Sequence, residues 1–183
     1  MEWAVGIDPS LTRTGVFAIG VGGTVDKDRL EWTHFGSKPK GDSGLSCRFW
    51  RYSDLAKQLR SWITETCVEG VRIAAIEGYA FGKSFATRPT IELGCVYRTV
   101  LLQVCKEVVE VPPSSAKKFS TKNGAASKQQ VQERIEMEFG IDLPNDDVAD
   151  AAACAWVAAV CGQLMGPGFT EQEEIAKKVA ESV

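Results

Sequence analysis

Four carboxylates stand where their surroundings do not ask for them. The apolar run Trp3-Ala4-Val5-Gly6-Ile7 stops on Asp8 and Pro9, and Val71-Arg72-Ile73-Ala74-Ala75-Ile76 stops on Glu77 and Gly78. Each run reads as a buried strand that delivers an acid to a sheet edge. Ligands of open α/β sheets gather outside the carboxyl ends of strands, so two such acids can share one site. A second pair, Asp147 and Asp150, opens a helix that continues in small apolar residues, Ala151-Ala152-Ala153-Cys154-Ala155-Trp156. Spaced three apart, they occupy one helix face.

Plainer accounts cover part of this pattern. Asp8 suits a turn, and an acid in a helix's first turn contributes about 0.3–1 kcal/mol against the helix dipole. That explains Asp146, with Asn145 or Asp146 as cap, and leaves Asp150 unexplained. Two carboxylates about 4 Å apart repel by about 4 kcal/mol at an effective dielectric of 20, so four of them converging require a cation. All-oxygen ligation points to Mg²⁺ or Mn²⁺. The lone His34 lies in an alternating run, and no two of the six cysteines form a CxxC pair, which argues against zinc and for buried reduced thiols.

Positioning these acids takes an α/β fold. After Asp8 come a hydroxyl-rich turn, Ser10–Thr14, a second strand to Ile19 and a third over Leu30–Phe35. Gly36–Ser46 reads as a loop. The spacing of Phe49, Tyr52, Leu55, Ala56, Leu59, Trp62 and Ile63 predicts a helix over Arg48–Cys67. Then follow the Glu77 strand, an apolar helix from Pro89 to about Lys106, a strand over Val108–Val111, and helices over Ser114–Phe119 and Ser127–Phe139. The expectation is a mixed five-stranded sheet flanked by helices. Its domain spans residues 1–165, and 166–183 form a helical tail of uncertain attachment.

At 183 residues one core is sufficient, and 44% hydrophobic with 25% charged residues is ordinary for a globular chain. No run is apolar enough to cross a bilayer and no signal-like segment opens the chain, so a cytoplasmic location without membrane attachment is expected. The net charge of −3 gives no global attraction for nucleic acid. Locally, Lys117, Lys118, Lys122, Lys128 and Arg134 face a single acid, Glu133, between residues 111 and 134. The loop after Glu77 displays Tyr79, Phe81 and Phe85 beside Lys83 and Arg88. Such rings and cations suit bases and phosphates, or they fold back as a lid over the core.

Together these segments resemble the RuvC-type Holliday junction resolvases, which have the RNase H-like fold. The resemblance covers about residues 4–160 and rests on Gly6-Ile7-Asp8-Pro9 with Thr14-Gly15, Ala75-Ile76-Glu77, Lys122-Asn123-Gly124-Ala125-Ala126-Ser127-Lys128 with Gln130-Val131, and Asp147-Val148-Ala149-Asp150-Ala151. It implies a metal-binding tetrad of Asp8, Glu77, Asp147 and Asp150, two Mg²⁺ ions with Mn²⁺ as substitute, and Lys128 as the basic catalytic residue. A second basic residue falls on Lys117 or Lys118, and a base-parting aromatic on Tyr79 or Phe81. The DNA-binding set is Tyr79, Phe81, Lys83, Arg88, Lys117, Lys118, Lys122 and Lys128. A homodimer, joined through the helix carrying Ile91–Val104, would cut two symmetric strands of a four-way junction and leave 5′-phosphate and 3′-hydroxyl ends. Ser10 replaces the family's usual glycine, and this departure together with the extra tail is compatible with a bacteriophage version. No branch-migration partner is legible.

Three other readings compete. A broader RNase H-like nuclease would act on flaps, forks or RNA–DNA hybrids. A non-cleaving junction binder is opposed by the intact tetrad. The Asp-turn-Thr-Gly opening is shared with the actin and sugar-kinase superfamily, but the second glycine-rich phosphate loop and the longer chain of that fold are missing.

Overall fold

The computed structural model describes residues 1–22, 25–38, 44–79 and 88–181, with 25–28 described by backbone alone. Five strands, β1 (Glu2–Asp8), β2 (Thr14–Val21), β3 (Val25–Phe35), β4 (Val71–Glu77) and β5 (Cys105–Val111), form one sheet in the order β3-β2-β1-β4-β5. β1 pairs antiparallel with β2 and parallel with β4, so the sheet is mixed as expected. The described residues also form six helices: α1 (Leu45–Thr66), α2 (Arg88–Val104), α3 (Pro113–Thr121), α4 (Lys128–Phe139), α5 (Asp146–Cys161) and α6 (Thr170–Ala180).

Alternation along the central strands divides the core into two layers. Trp3, Val5, Ile7, Val16 and Ala18 face Leu55, Leu59 and Ile63 of α1 and Leu93, Tyr97 and Leu101 of α2. Ala4, Phe17 and Ile19 face the opposite layer, built on α5 with α3, α4 and α6. α5 is buried throughout Val148–Val160 apart from Asp150. Its alanines let the helix lie close on the sheet, while Trp156 meets the rings of Phe119 and Phe139 edge-on at 5.3 and 5.6 Å.

Some boundaries differ from the sequence reading. α2 stops at Val104 and β5 begins on the next residue, because Cys105 and Glu107 pair with Val71 and Ile73 of β4. An edge strand with one polar face, Lys106 among it, does not announce itself against a preceding apolar helix. β3 is longer than its expected apolar stretch, reaching back to Val25 opposite Val21. The cysteines carry no disulfide, but only Cys67 and Cys154 are buried; Cys47, Cys105 and Cys161 are half-buried and Cys95 is exposed.

The C-terminal segment docks on the core. Ile175, Ala176 and Val179 of α6 are buried with the α5 layer, and Gln172 is fully buried. No described helix is long and apolar enough to cross a membrane.

Candidate active site

Pairing fixes the first two acids. Gly15 of β2 lies opposite Asp8, and Ile76 of β4 lies opposite Ile7, so Asp8 and Glu77 leave adjacent strands at the same edge. The turn after Asp8 is tied by its hydroxyls: Thr14 Oγ1 donates to Ser10 O at 2.5 Å and accepts from Ser10 N at 3.1 Å. The buried Tyr97 hydroxyl meets Thr14 Oγ1 at 2.9 Å and anchors that turn to α2.

The second pair arrives on α5. Asn145 caps the helix by accepting from Val148 N at 3.0 Å, and its first turns pass over Gly15 and Gly6. A side chain at Gly15 would meet Asp147 O at 2.1 Å, and one at Gly6 would meet Ala151 O at 2.0 Å. This approach brings Asp150 beside Asp8 and Glu77, near enough for its charge to raise both their pKa values. Asp147 also acts on Asp8, more weakly.

Burial is the main cause of the shifts that follow. It raises Asp8 well above the usual carboxylate range, and Glu77 and Asp150 repel it further. Glu77 is pushed up to about 6 by burial and by Asp150. Asp150 is raised by burial, with Lys128 and Lys117 pulling it back. Asp8 and Glu77 lie close enough that each shifts the other, Glu77 raising Asp8 and Asp8 lowering Glu77. Behind them the fully buried thiol of Cys154, one helical turn past Asp150, is raised by burial and by the same three carboxyls.

Cations surround the cluster. Lys128 occupies the first position of α4, placed there by a capping box in which Ser127 Oγ accepts from Gln130 N at 3.2 Å and Ser127 N donates to Gln130 Oε1 at 2.9 Å. Lys128 Nζ lies 2.8 Å from Asp146 and 3.6 Å from Asp150. Burial alone would lower its pKa; the bond to Asp146 and the charge of Asp150 outweigh that and hold it above the usual lysine value. Of the two lysines on α3, Lys117 is half-buried and lowers the pKa of both Glu77 and Asp150, whereas Lys118 is exposed.

Arg13 completes the ring of cations. Its Nε donates to Asp147 and its Nη2 to Asp146 at 3.0 Å. Sequence reasoning assigned it no role, although its place in the turn after Asp8 was the available signal. Asp146, treated as a helix-terminus acid, is a paired one, held below the usual carboxylate range first by Lys128.

Other expected site residues lie elsewhere. Tyr79 folds back on α2, donating its hydroxyl to Ile91 O at 3.0 Å beneath the Arg98 guanidinium, 4.7 Å from the ring centroid. Arg88 opens α2 and pairs with Glu92 at 2.8 Å. Lys122 ends α3, and Arg134 is engaged by Glu138 at 2.7 Å. Phe81 and Lys83 lie outside the described residues.

Among the described residues no three acidic, histidine or cysteine groups form a closed metal-ligand set. Asp8 and Glu77 act on one another, Asp147 turns to Arg13 and Asp150 to Lys128. The donors still fit a hard divalent cation: all are carboxylate oxygens, and three are desolvated together at a cost that positive charge offsets. A raised carboxyl stabilises the fold below its unfolded-state pKa, and this is lost as pH rises through the folded value. Glu77 alone accounts for a loss on the order of 2 kcal/mol. In EDTA the thermal midpoint should therefore fall between about pH 5 and pH 8, and Mg²⁺ should remove most of that slope. A flat profile in EDTA would contradict it.

No family model matches the chain. The RuvC crossover junction endodeoxyribonuclease of Synechococcus sp. strain WH7803 is 30% identical over 156 residues, covering 82% of this chain and 94% of that protein. The one from Parasynechococcus marenigrum strain WH8102 is 31% identical over 153 residues with the same coverage. The chain belongs to the RuvC crossover junction endodeoxyribonuclease family. Solved structures agree on the fold. Thermus thermophilus RuvC in complex with a Holliday junction substrate aligns with a TM-score of 0.66 at 16% identity, covering 85% of this chain and 91% of that one. The yeast mitochondrial Holliday junction resolvase Ydc2 aligns at 0.56 and 13% identity, covering 97% and 81%. The RuvC resemblance and the RNase H-like fold read from the sequence both hold.

Proposed function

We propose that the chain is a metal-dependent endodeoxyribonuclease that resolves four-way DNA junctions by paired symmetric cuts, leaving 5′-phosphate and 3′-hydroxyl ends. The observation that carries this is the convergence of the half-buried Asp8, Glu77 and Asp150, from three separate segments, at the edge where β1 and β4 end. Asp8, Glu77, Asp147 and Asp150 would hold two Mg²⁺ ions, or Mn²⁺ in their place, which when bound supply a lowered water pKa and countercharge for the leaving 3′ oxygen.

The chain's own residues do the rest. Lys128, ionised at any physiological pH, and Lys117 offer positive charge where the scissile phosphate gains negative charge. Arg13 holds Asp147 in place at the mouth of the site. Because the Tyr79 hydroxyl is committed to α2, we assign the base-parting role to Phe81. We assign phosphate contacts to Lys83, Arg88, Lys117, Lys118, Lys122 and Lys128.

A homodimer matches the two-fold symmetry of a junction, and α2 leaves Ile91 and Leu102 exposed, Leu102 at 71%, for such a contact. The test is cleavage of a synthetic mobile four-way junction with Mg²⁺, set against flaps, forks, RNA–DNA hybrids and linear duplex. Paired symmetric nicks in the junction alone are expected; equal cutting of the other substrates would broaden the assignment to a general branched-DNA nuclease.

The two lysines of α3 should separate by kinetics. Lys117→Ala should slow single-turnover cleavage about 100-fold with little loss of affinity. Lys118→Ala should leave that rate and lower the salt slope of junction binding by about 1. The reverse pattern would turn α3 by a third of a turn relative to the site.

A further inference from the structure

An aromatic contact joins the start of the C-terminal helix to the basic loop. Phe169, the residue before α6, places its ring 4.4 Å from Lys122 Nζ. Lys122 is the left-handed C-cap of α3, with φ 64°, so its backbone leaves the helix sharply and its side chain is exposed. Two fixed points define where Phe169 sits. Gln172 is fully buried, donating Nε2 to Phe119 O at 3.1 Å and accepting from Gly168 N at 2.7 Å with Oε1. One side chain therefore pins both the last turn of α3 and the Gly168–Phe169 approach to α6.

We infer that Phe169 and Gln172 are positioning residues that make the C-terminal helix part of the DNA-binding edge, holding the Lys122 ammonium for a backbone phosphate flanking the cleavage site. This rests on the function proposed above. A cation over a ring loses rotamer freedom on one side and keeps its N–H donors on the other, which lowers the cost of engaging an anion. The location suits a flanking phosphate. Lys117 is near enough to Glu77 and Asp150 for its charge to lower both their pKa values, and Lys122 caps the same helix five residues on, roughly 8 Å along its axis at 1.5 Å per residue. That equals about two nucleotide steps at 3.4 Å of rise per step of one strand.

The test is a double-mutant cycle on binding of a synthetic four-way junction, in Ca²⁺ to hold cleavage back, across a range of salt. Phe169→Leu keeps the volume and removes the π face; Phe169→Trp restores it. We expect Phe169→Leu and Lys122→Ala each to weaken binding about 3- to 10-fold, the double variant to bind no worse than Lys122→Ala, and Phe169→Trp to bind like the natural protein. Independent effects that multiply in the double variant, or equal losses in Leu and Trp, would overturn the inference and leave Phe169 a packing residue. Gln172→Ala should reproduce Phe169→Leu; because it also removes buried hydrogen bonds, the Phe169 pair decides if that variant unfolds. If the natural protein does not prefer the junction to linear duplex, the proposed function fails, and the same cycle on linear duplex still decides the Phe169–Lys122 coupling.

Discussion

Replacing Asp8 by Asn should abolish cleavage of a four-way junction, by about 1,000-fold or more, while the same protein still binds the junction. The expectation comes from where Asp8 sits. It is the most strongly perturbed carboxyl of the cluster, desolvated first of all and then repelled by Glu77, Asp150 and Asp147. It is also one of the four acids that the RuvC resemblance implies as metal ligands. An amide keeps the shape and removes the charge. The same loss of charge should raise stability in EDTA, because at pH 8 the natural protein must either ionise a buried carboxyl or hold a proton against the solvent. The relief should read as a higher thermal midpoint in EDTA. Mg²⁺ should then stabilise the natural protein and leave Asp8→Asn nearly unmoved. Retained cleavage, or a lower midpoint in EDTA, would remove Asp8 from the metal site.

What could be read from the sequence was whatever depends on neighbours along the chain. A strand's apolar run followed by an acid shows Asp8 and Glu77 at a sheet edge, and a spacing of three shows Asp147 and Asp150 on one face. Arg13 escaped because its partner is 134 residues away, and a turn does not declare where its side chains point. The choice between Lys117 and Lys118 escaped for a related reason. Adjacent helix residues differ by about 100°, and only the docking of α3 decides which one faces the acids. Tyr79 was read equally as a DNA contact and as a lid; its hydroxyl bond to Ile91 O depends on how α2 packs. The attachment of α6 was hidden by Gln172, a polar residue at a core-facing position whose two hydrogen bonds exist only once α3 is beside it.

Gly6→Ala should be severely destabilising. The added carbon would stand 2.0 Å from Ala151 O and 2.2 Å from Ala155 N, both backbone atoms of a buried helix that no rotamer change can move aside. α5 would have to lift from β1, opening the layer that holds Trp156, Phe119 and Phe139. Overpacking of this kind costs about 3 kcal/mol or more, which predicts a fall of roughly 6–12 °C in thermal midpoint. Gly15→Ala presses instead on Asp147 O at 2.1 Å, at the open end of the same helix. There the first turn can yield, so the larger loss should be in Mg²⁺ affinity, followed by titration of the thermal midpoint against Mg²⁺. Gly166, with nothing within 4 Å of the corresponding position, is the control, and Gly166→Ala should leave both quantities within error. A Gly6→Ala protein as stable as Gly166→Ala would mean that α5 does not rest on β1 at this distance. The delivery of Asp150 to Asp8 would then need another explanation.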